Sequence, residues 1–115
     1  MVVRPVSDLS PMSVEVTDNR DEARYEIRTD GELAGFAQYR LEGTRITFVH
    51  TEIAPEHEGA GLGGRLARAA LDDARSRNLS VVPRCPFVAA YIRRHSEEYL
   101  DLVHPALRAE LMAGE

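Results

Sequence analysis

One cysteine, no tryptophan and no long apolar run set the first limits on this 115-residue chain. A single thiol excludes an internal disulfide, and without a secretory or membrane-length apolar segment the expected compartment is a reducing cytoplasm. Positive charge is also scarce. The 14 Lys and Arg stand against 19 Asp and Glu, a formal net charge of -5, which argues against a nucleic-acid partner reached through charge alone. No pair of residues has metal-ligand spacing, and His57, His95 and His104 read as surface residues. There is no internal repeat or low-complexity tract, and 43% hydrophobic content at this length supports one core.

What is present reads as a compact α/β pattern. Pro5 and Pro11 discourage regular structure over Met1 to Met12, so a frayed tail is expected ahead of a single domain over residues 13–115. Alternating, β-branched and aromatic runs predict strands at Ser13 to Thr17, Ala23 to Thr29, Glu32 to Leu41 and Thr44 to Ile53. Turns at Asp18-Asn19, Asp30-Gly31 and Glu42-Gly43 make these an antiparallel meander, and Gly35 inside the third strand predicts a bulge. Leu62 to Arg77 carries Leu62, Leu66, Ala69, Ala70 and Ala74 at helical spacing, with Asp73 four residues before Arg77 and Asn78 at the C-terminal end. A fifth strand follows at Leu79 to Arg84, parallel to the fourth by a right-handed crossover. Pro86 opens a second helix to about His95, and Ser96 reads as the N-cap of another short one.

Between the fourth strand and the long helix lies E-G-A-G-L-G-G, Glu58 to Gly64. Glycines there let the backbone turn sharply and an oxyanion come close, beside helix N–H groups that lack intrahelical partners. A P-loop is excluded, because Gly63-Gly64-Arg65 supplies neither the lysine nor the hydroxyl that phosphate and magnesium require. Gly59, Gly61 and Gly64 satisfy G-x-G-x-x-G. A dinucleotide fold is nevertheless disfavoured, since Ala54 to Glu58 separates the strand from the glycines and Leu79 to Arg84 holds no acid for a ribose.

Strand, A-P-E-H link, glycine turn and helix together resemble the GNAT superfamily of acyl-CoA-dependent N-acetyltransferases, whose motif is Gln/Arg-x-x-Gly-x-Gly/Ala. The motif falls on Glu58, Gly59, Ala60, Gly61, Leu62 and Gly63. Glu58 departs from it, which bears on any side-chain contact but not on the backbone cradle. His50-Thr51-Glu52-Ile53, Pro83-Arg84-Cys85-Pro86 and Tyr91 to His95 look like a subgroup of very small, single-domain members, over roughly residues 13–103. The resemblance implies a mixed sheet of about five strands with an antiparallel meander, a crossover helix and a splayed parallel pair. It further implies acetyl-CoA or CoA as cofactor, with pantetheine in the splay against Thr51, Glu52, Ile53 and Ala54, and pyrophosphate on Gly59, Ala60, Gly61, Leu62, Gly63 and Gly64. The partner would be an amine, on a small molecule or a protein, and no membrane. An ordinary parallel pair with a satisfied edge is the alternative. Thr17 to Arg24 is too short for the helices that usually follow the first strand, so the acceptor side should be open.

Three residues are candidates for chemistry. By the period of two, Phe48, His50 and Glu52 share one strand face with Ile46; Glu52 there is either a general base or half of a polar pair with His50. Cys85, directly before the helix-opening Pro86, is a nucleophile, a thiol packed against pantetheine, or a small buried hydrophobe. Tyr91 is the acid by analogy with the superfamily tyrosine, or a half-buried core aromatic. The weak constellation leaves two functions open: acetyl transfer to an amine, or a non-catalytic CoA or acyl-CoA binding module.

Overall fold

The computed structural model describes residues 13–114, so the tail expected at 1–12 lies outside the described residues. Strands β1 (Val14–Asn19), β2 (Arg24–Thr29), β3 (Glu32–Glu42), β4 (Arg45–Ile53) and β5 (Ser80–Pro83) form one sheet in sequence order. The first three pairings are antiparallel and β4 with β5 is parallel, joined through helix α1 (Leu62–Ser76). Helices α2 (Pro86–Arg94), α3 (Ser96–Tyr99) and α4 (Arg108–Ala113) complete the chain, with short 3-10 turns between the last two. The outer edge of β5 is partly closed by Val103, bridged to Val81, and by the His104 N–H, which donates to the Val81 carbonyl at 2.9 Å. No helix among the described residues is long and apolar enough to cross a membrane.

Local sequence explains most boundaries. Asp30 (φ 52°) and Gly31 (φ 86°) both take positive φ, the mirror-image turn that suits the twist of the β2–β3 hairpin. The first turn falls later than its Asp18-Asn19 signal. Both residues stay paired in β1, and the chain reverses at Arg20–Ala23, where the Asn19 side chain accepts from the Glu22 N–H. Asn78 ends α1 in the left-handed conformation (φ 56°), with the Leu79 N–H returned to the Ala74 carbonyl. Ser96 is the first helical residue of α3 and not its cap, since His95 holds that position without a side-chain bond.

Two bulges shape the sheet. The one foreseen at Gly35 falls on its neighbour: Ile27 faces Gly35 and Arg28 faces Leu33, leaving Ala34 unopposed. A Cβ on Gly35 would sit 2.5 Å from the Glu52 carbonyl, so only glycine allows β4 this close. The second was not foreseen. Tyr39 faces Phe48 while Gln38 faces His50, so Val49 is the extra residue in β4.

The core lies between α1 and the sheet. Leu62, Leu66, Ala67, Ala70, Leu71 and Ala74 of α1 are buried against Tyr25, Ile27, Ala37, Tyr39, Ile46 and Phe48. Ala67 and Leu71 join the expected stripe, and Ala69 is only half-buried. At the C-terminal end of α1, two tyrosines meet two aspartates and one arginine. The Tyr25 hydroxyl donates to Asp73 and the Tyr39 hydroxyl to Asp18, each at 2.6 Å. Arg77 reaches both carboxylates at 3.2 Å, its bond to Asp73 being the i,i+4 pair read from the sequence. Burial, and then donation to Asp18, push the Tyr39 phenol up to about 12; the same causes, with Asp73, push Tyr25 further in that direction. Both hydroxyls therefore stay protonated donors.

Candidate active site

At the other end of α1 the sheet opens. The parallel ladder runs only from Arg45–Ser80 to Phe48–Pro83, and its last tie is the Cys85 N–H to the Phe48 carbonyl at 2.8 Å. Beyond it β4 continues for five more residues along β3 while β5 turns into α2. The splayed pair expected from the sequence is thus present, and the ordinary satisfied pair is not. Ala54 points its N–H at the Ala34 carbonyl and its C=O accepts from His57, so its backbone is occupied. By alternation Thr51 and Ile53 turn their backbone groups to the open side, and the pairing segment contracts to those two.

The glycine turn closes one end of this opening. Gly59 (φ +89°) and Gly61 (φ +74°) hold conformations that a side chain strains to adopt, and a Cβ built on either meets nothing within 4 Å. Both glycines line a groove of about 460 Å³, together with Thr51, Ile53, Phe87 and Arg94 among others. Gly61 caps α1 without any side-chain bond, and the first intrahelical bond runs from the Arg65 N–H to the Gly61 carbonyl. The N–H groups of Leu62, Gly63 and Gly64 therefore have no partner inside the helix, and the positive end of its dipole faces the turn. Gly63 does a different job. A Cβ there would lie 2.7 Å from the Phe87 ring, so glycine lets α1 and α2 close together along the groove wall.

The three chemical candidates do not converge. The bulge at Val49 resets the alternation of β4: Thr51, opposite Ala37, returns to the face of Phe48, and His50 and Glu52 pass to the other face, opposite Gln38 and Phe36. The shared face of Phe48, His50 and Glu52 is therefore corrected. Both polar side chains are exposed, at 58% and 62%, and His50 Nε2 lies 3.3 Å from Glu52 Oε1, the polar pair that the sequence allowed. Cys85 caps α2 with Pro86 at its first position, as foreseen, but is buried at 2% exposure and directs its Sγ to Thr51 Oγ1 at 3.2 Å. It does not line the groove. Tyr91 is a core aromatic, 5% exposed, stacked on His95 at 4.3 Å between ring centroids and on Tyr99 at 6.1 Å, with its ring beside Gly64.

Sequence reasoning missed Phe87 and Arg94 as groove walls and the Cys85–Thr51 contact across the splay. The Arg93-Arg94 pair at the end of α2 was a visible signal; nothing in sequence announced the other two. The fold also gathers Glu32, Glu56 and His57, with one ligand atom from each within 4.8 Å of the others, although no spacing in sequence links them.

A bulged, splayed parallel pair with a glycine turn capping the crossover helix is the arrangement of acetyltransferase folds, and comparison with known proteins agrees. Residues 24–102 match the family model described as GCN5-related N-acetyl-transferase, and the chain belongs to that family. Among its relatives, streptothricin acetyltransferase of Streptomyces lavendulae is 45% identical over 53 residues, a match spanning 44% of this chain but only 28% of that protein. Protein NATD1 of Mus musculus is 26% identical over 95 residues, which cover 80% of this chain and 86% of that protein. Of the solved structures, ribosomal-protein-alanine N-acetyltransferase from Brucella melitensis biovar Abortus 2308 superimposes with a TM-score of 0.50 at 19% identity. That match covers 76% of this chain and 89% of the other, a likeness of fold.

Proposed function

We propose that the protein is a cytoplasmic acetyltransferase that moves an acetyl group from acetyl-CoA to an amine. The observation that carries this reading is the groove between the parted strands and the glycine turn, lined by Gly59 and Gly61 in left-handed conformations with open space where a Cβ would stand. Acetyl-CoA supplies the activated acyl thioester. The backbone N–H groups of Gly61 to Gly64 and the free end of α1 hold its diphosphate, as a helix N-terminus holds any anion. The backbone of Thr51 and Ile53 pairs with the pantetheine amides, adding a short strand to an edge that β5 has left. Cys85, tied to Thr51, fixes the depth of the splay and takes no covalent part in the transfer.

On the opposite face the His50–Glu52 pair is placed to take a proton from the incoming amine at Glu52 Oε1. The Tyr91 hydroxyl is the donor we assign to the departing thiolate. The exposure of Glu52 and the burial of Tyr91 favour a second reading, a binder of acyl-CoA without turnover.

Calorimetric titration with CoA and acetyl-CoA, followed by thiol release across an amine panel, separates these readings: an enzyme releases thiol, a binder saturates without it. Gly61→Val places a branched side chain where the diphosphate must approach and is expected to weaken CoA binding at least tenfold in a folded protein. Unchanged affinity in that variant sinks the site assignment. Glu58→Ala is expected to leave binding equal or tighter, because it removes a negative charge from the groove wall.

A further inference from the structure

A second cavity, of about 340 Å³, opens on the sheet face opposite α1, alongside the parallel ladder from its first rung at Arg45 to Arg84 just past its last. Its lining includes Arg40, Arg45, Thr47, Arg84 and His104. Arg45 and Thr47 alternate with the buried Ile46 and Phe48 and so face away from α1; Arg40 stands opposite Thr47 across the β3–β4 ladder. Arg84 follows the last ladder residue of β5 and immediately precedes Cys85. Glu42 also lines the cavity, but no carboxylate of the described residues lies within 4.0 Å of Arg40, Arg45 or Arg84. His104 is turned toward its own chain, with its Nδ1 accepting from the Ala106 N–H at 3.2 Å. Elsewhere Arg20, Arg24, Arg28, Arg68, Arg75 and Arg77 face carboxylates at 3.3 Å or less, while Arg65, Arg93, Arg94 and Arg108 have none within 4.0 Å among the described residues, so what sets this cavity apart is that three such guanidinium groups line it together.

In a chain of net charge -5, three guanidinium groups without carboxylate partners around one cavity are a local reversal of sign. Guanidinium forks match carboxylate and phosphate oxygens bidentately, and Thr47 adds a hydroxyl. We propose that this cavity binds the anionic group of the acceptor, so that the substrate is an amine carrying a carboxylate or phosphate a few bonds from its nitrogen. Arg84 stands just past the last rung of the ladder and His50 and Glu52 lie further along β4 on the same face, so an anion held toward Arg84 directs its amine along the face that carries them. The inference about the acceptor rests on the acetyltransferase reading above; the anion site does not.

The test uses the full chain. Arginine Nε–Hε signals are followed by NMR during titration with O-phosphoethanolamine, β-alanine and ethanolamine. The expected result is saturable shifts at Arg45 and Arg84 with one or both anionic amines and none with ethanolamine; whichever of the two binds identifies phosphate or carboxylate as the preferred group. Arg45→Gln with Arg84→Gln is expected to weaken that binding at least tenfold. With acetyl-CoA present, kcat/KM of the double variant should fall about tenfold more for the anionic amine than for ethanolamine. No shift at these arginines, or equal shifts with ethanolamine, overturns the site. Equal loss of transfer for both amines overturns its role in acceptor choice. Absence of acetyl-CoA binding overturns the proposed function and leaves the anion site to be decided by the titration.

Discussion

The two ends of α1 are built on opposite plans. At its C-terminal end every polar group meets a partner: Tyr25 and Tyr39 donate to Asp73 and Asp18, and Arg77 spans both carboxylates. At its N-terminal end Gly61 caps nothing with a side chain, three N–H groups lack helical partners, and β4 runs on without β5. A charge network of this kind ties the helix to β1, β2 and β3 and gives little to bind. The opposite end forgoes the same kinds of bond and leaves its donors free for the anion that the proposed function assigns to them. Stability and recognition are thus placed about as far apart on the helix as its length allows.

That contrast is broken most severely at the closed end. Asp73→Ala leaves the Tyr25 hydroxyl buried without its acceptor and Arg77 with one carboxylate, and should cost about 2–4 kcal/mol of folding stability. Denaturant melts measure the loss, while CoA affinity of the folded protein should stay within about twofold. At the open end the order reverses. Glu52→Gln is expected to lower turnover by about 10², the usual scale for a positioned base, without a measurable change in melting or in CoA binding. Equal turnover returns Glu52 to a partner of His50 alone.

Cys85→Ala removes one weak S–H bond and a single heavy atom from a buried site, about 1 kcal/mol, and should retain CoA binding and much of the activity. Mass spectrometry after exposure to acetyl-CoA should find no acetyl thioester; a hydroxylamine-labile adduct on Cys85, with a dead alanine variant, would make it the nucleophile.

The smallest effect is the most pH-dependent. Burial pushes the Glu26 carboxyl up, but hydrogen bonds from Arg24 and Asn19 and the charges of Arg24 and Arg28 outweigh it, so the group lies below its ordinary value. Its stabilisation is present above the unfolded value of about 4.3 and disappears as pH falls through the lower folded value. Glu26→Gln should therefore lower stability at neutral pH, where the ion pairs are present, and converge with the parent as the pH falls, flattening the acid limb, as melts between pH 3 and pH 7 would record.

The parts of this molecule that obey a local rule were readable in sequence. Asp30-Gly31 made its turn, Asn78 ended its helix, Asp73 met Arg77, and the glycine turn produced its cradle, because each is decided within a few residues. The face of His50 and Glu52 was misread for the opposite reason. Alternation along β4 is local, but Val49 drops out of register through its pairing with β3, and no residue type at Val49 advertises that. Cys85 with Thr51, Phe87 with Gly63, and the arginine cavity all join residues that are distant in sequence. Only the fold brings them together.

The bulge at Val49 gives β4 two reading frames. Upstream of it, even-numbered residues look toward α1; downstream, odd-numbered residues do. Deleting Val49 alone would remove the bulge and leave plain alternation in which Phe48, Thr51 and Ile53 still face α1 and His50 and Glu52 still face away, whereas one further residue that the bulge did not absorb would turn Thr51 from Cys85 and carry the Glu52 carboxylate into the space between the sheet and its helices. A single-codon insertion at this position is therefore a change of face for the whole end of the strand, and it should be tolerated far less than deletion of Val49, which costs only the local kink, or substitutions of Val49 itself.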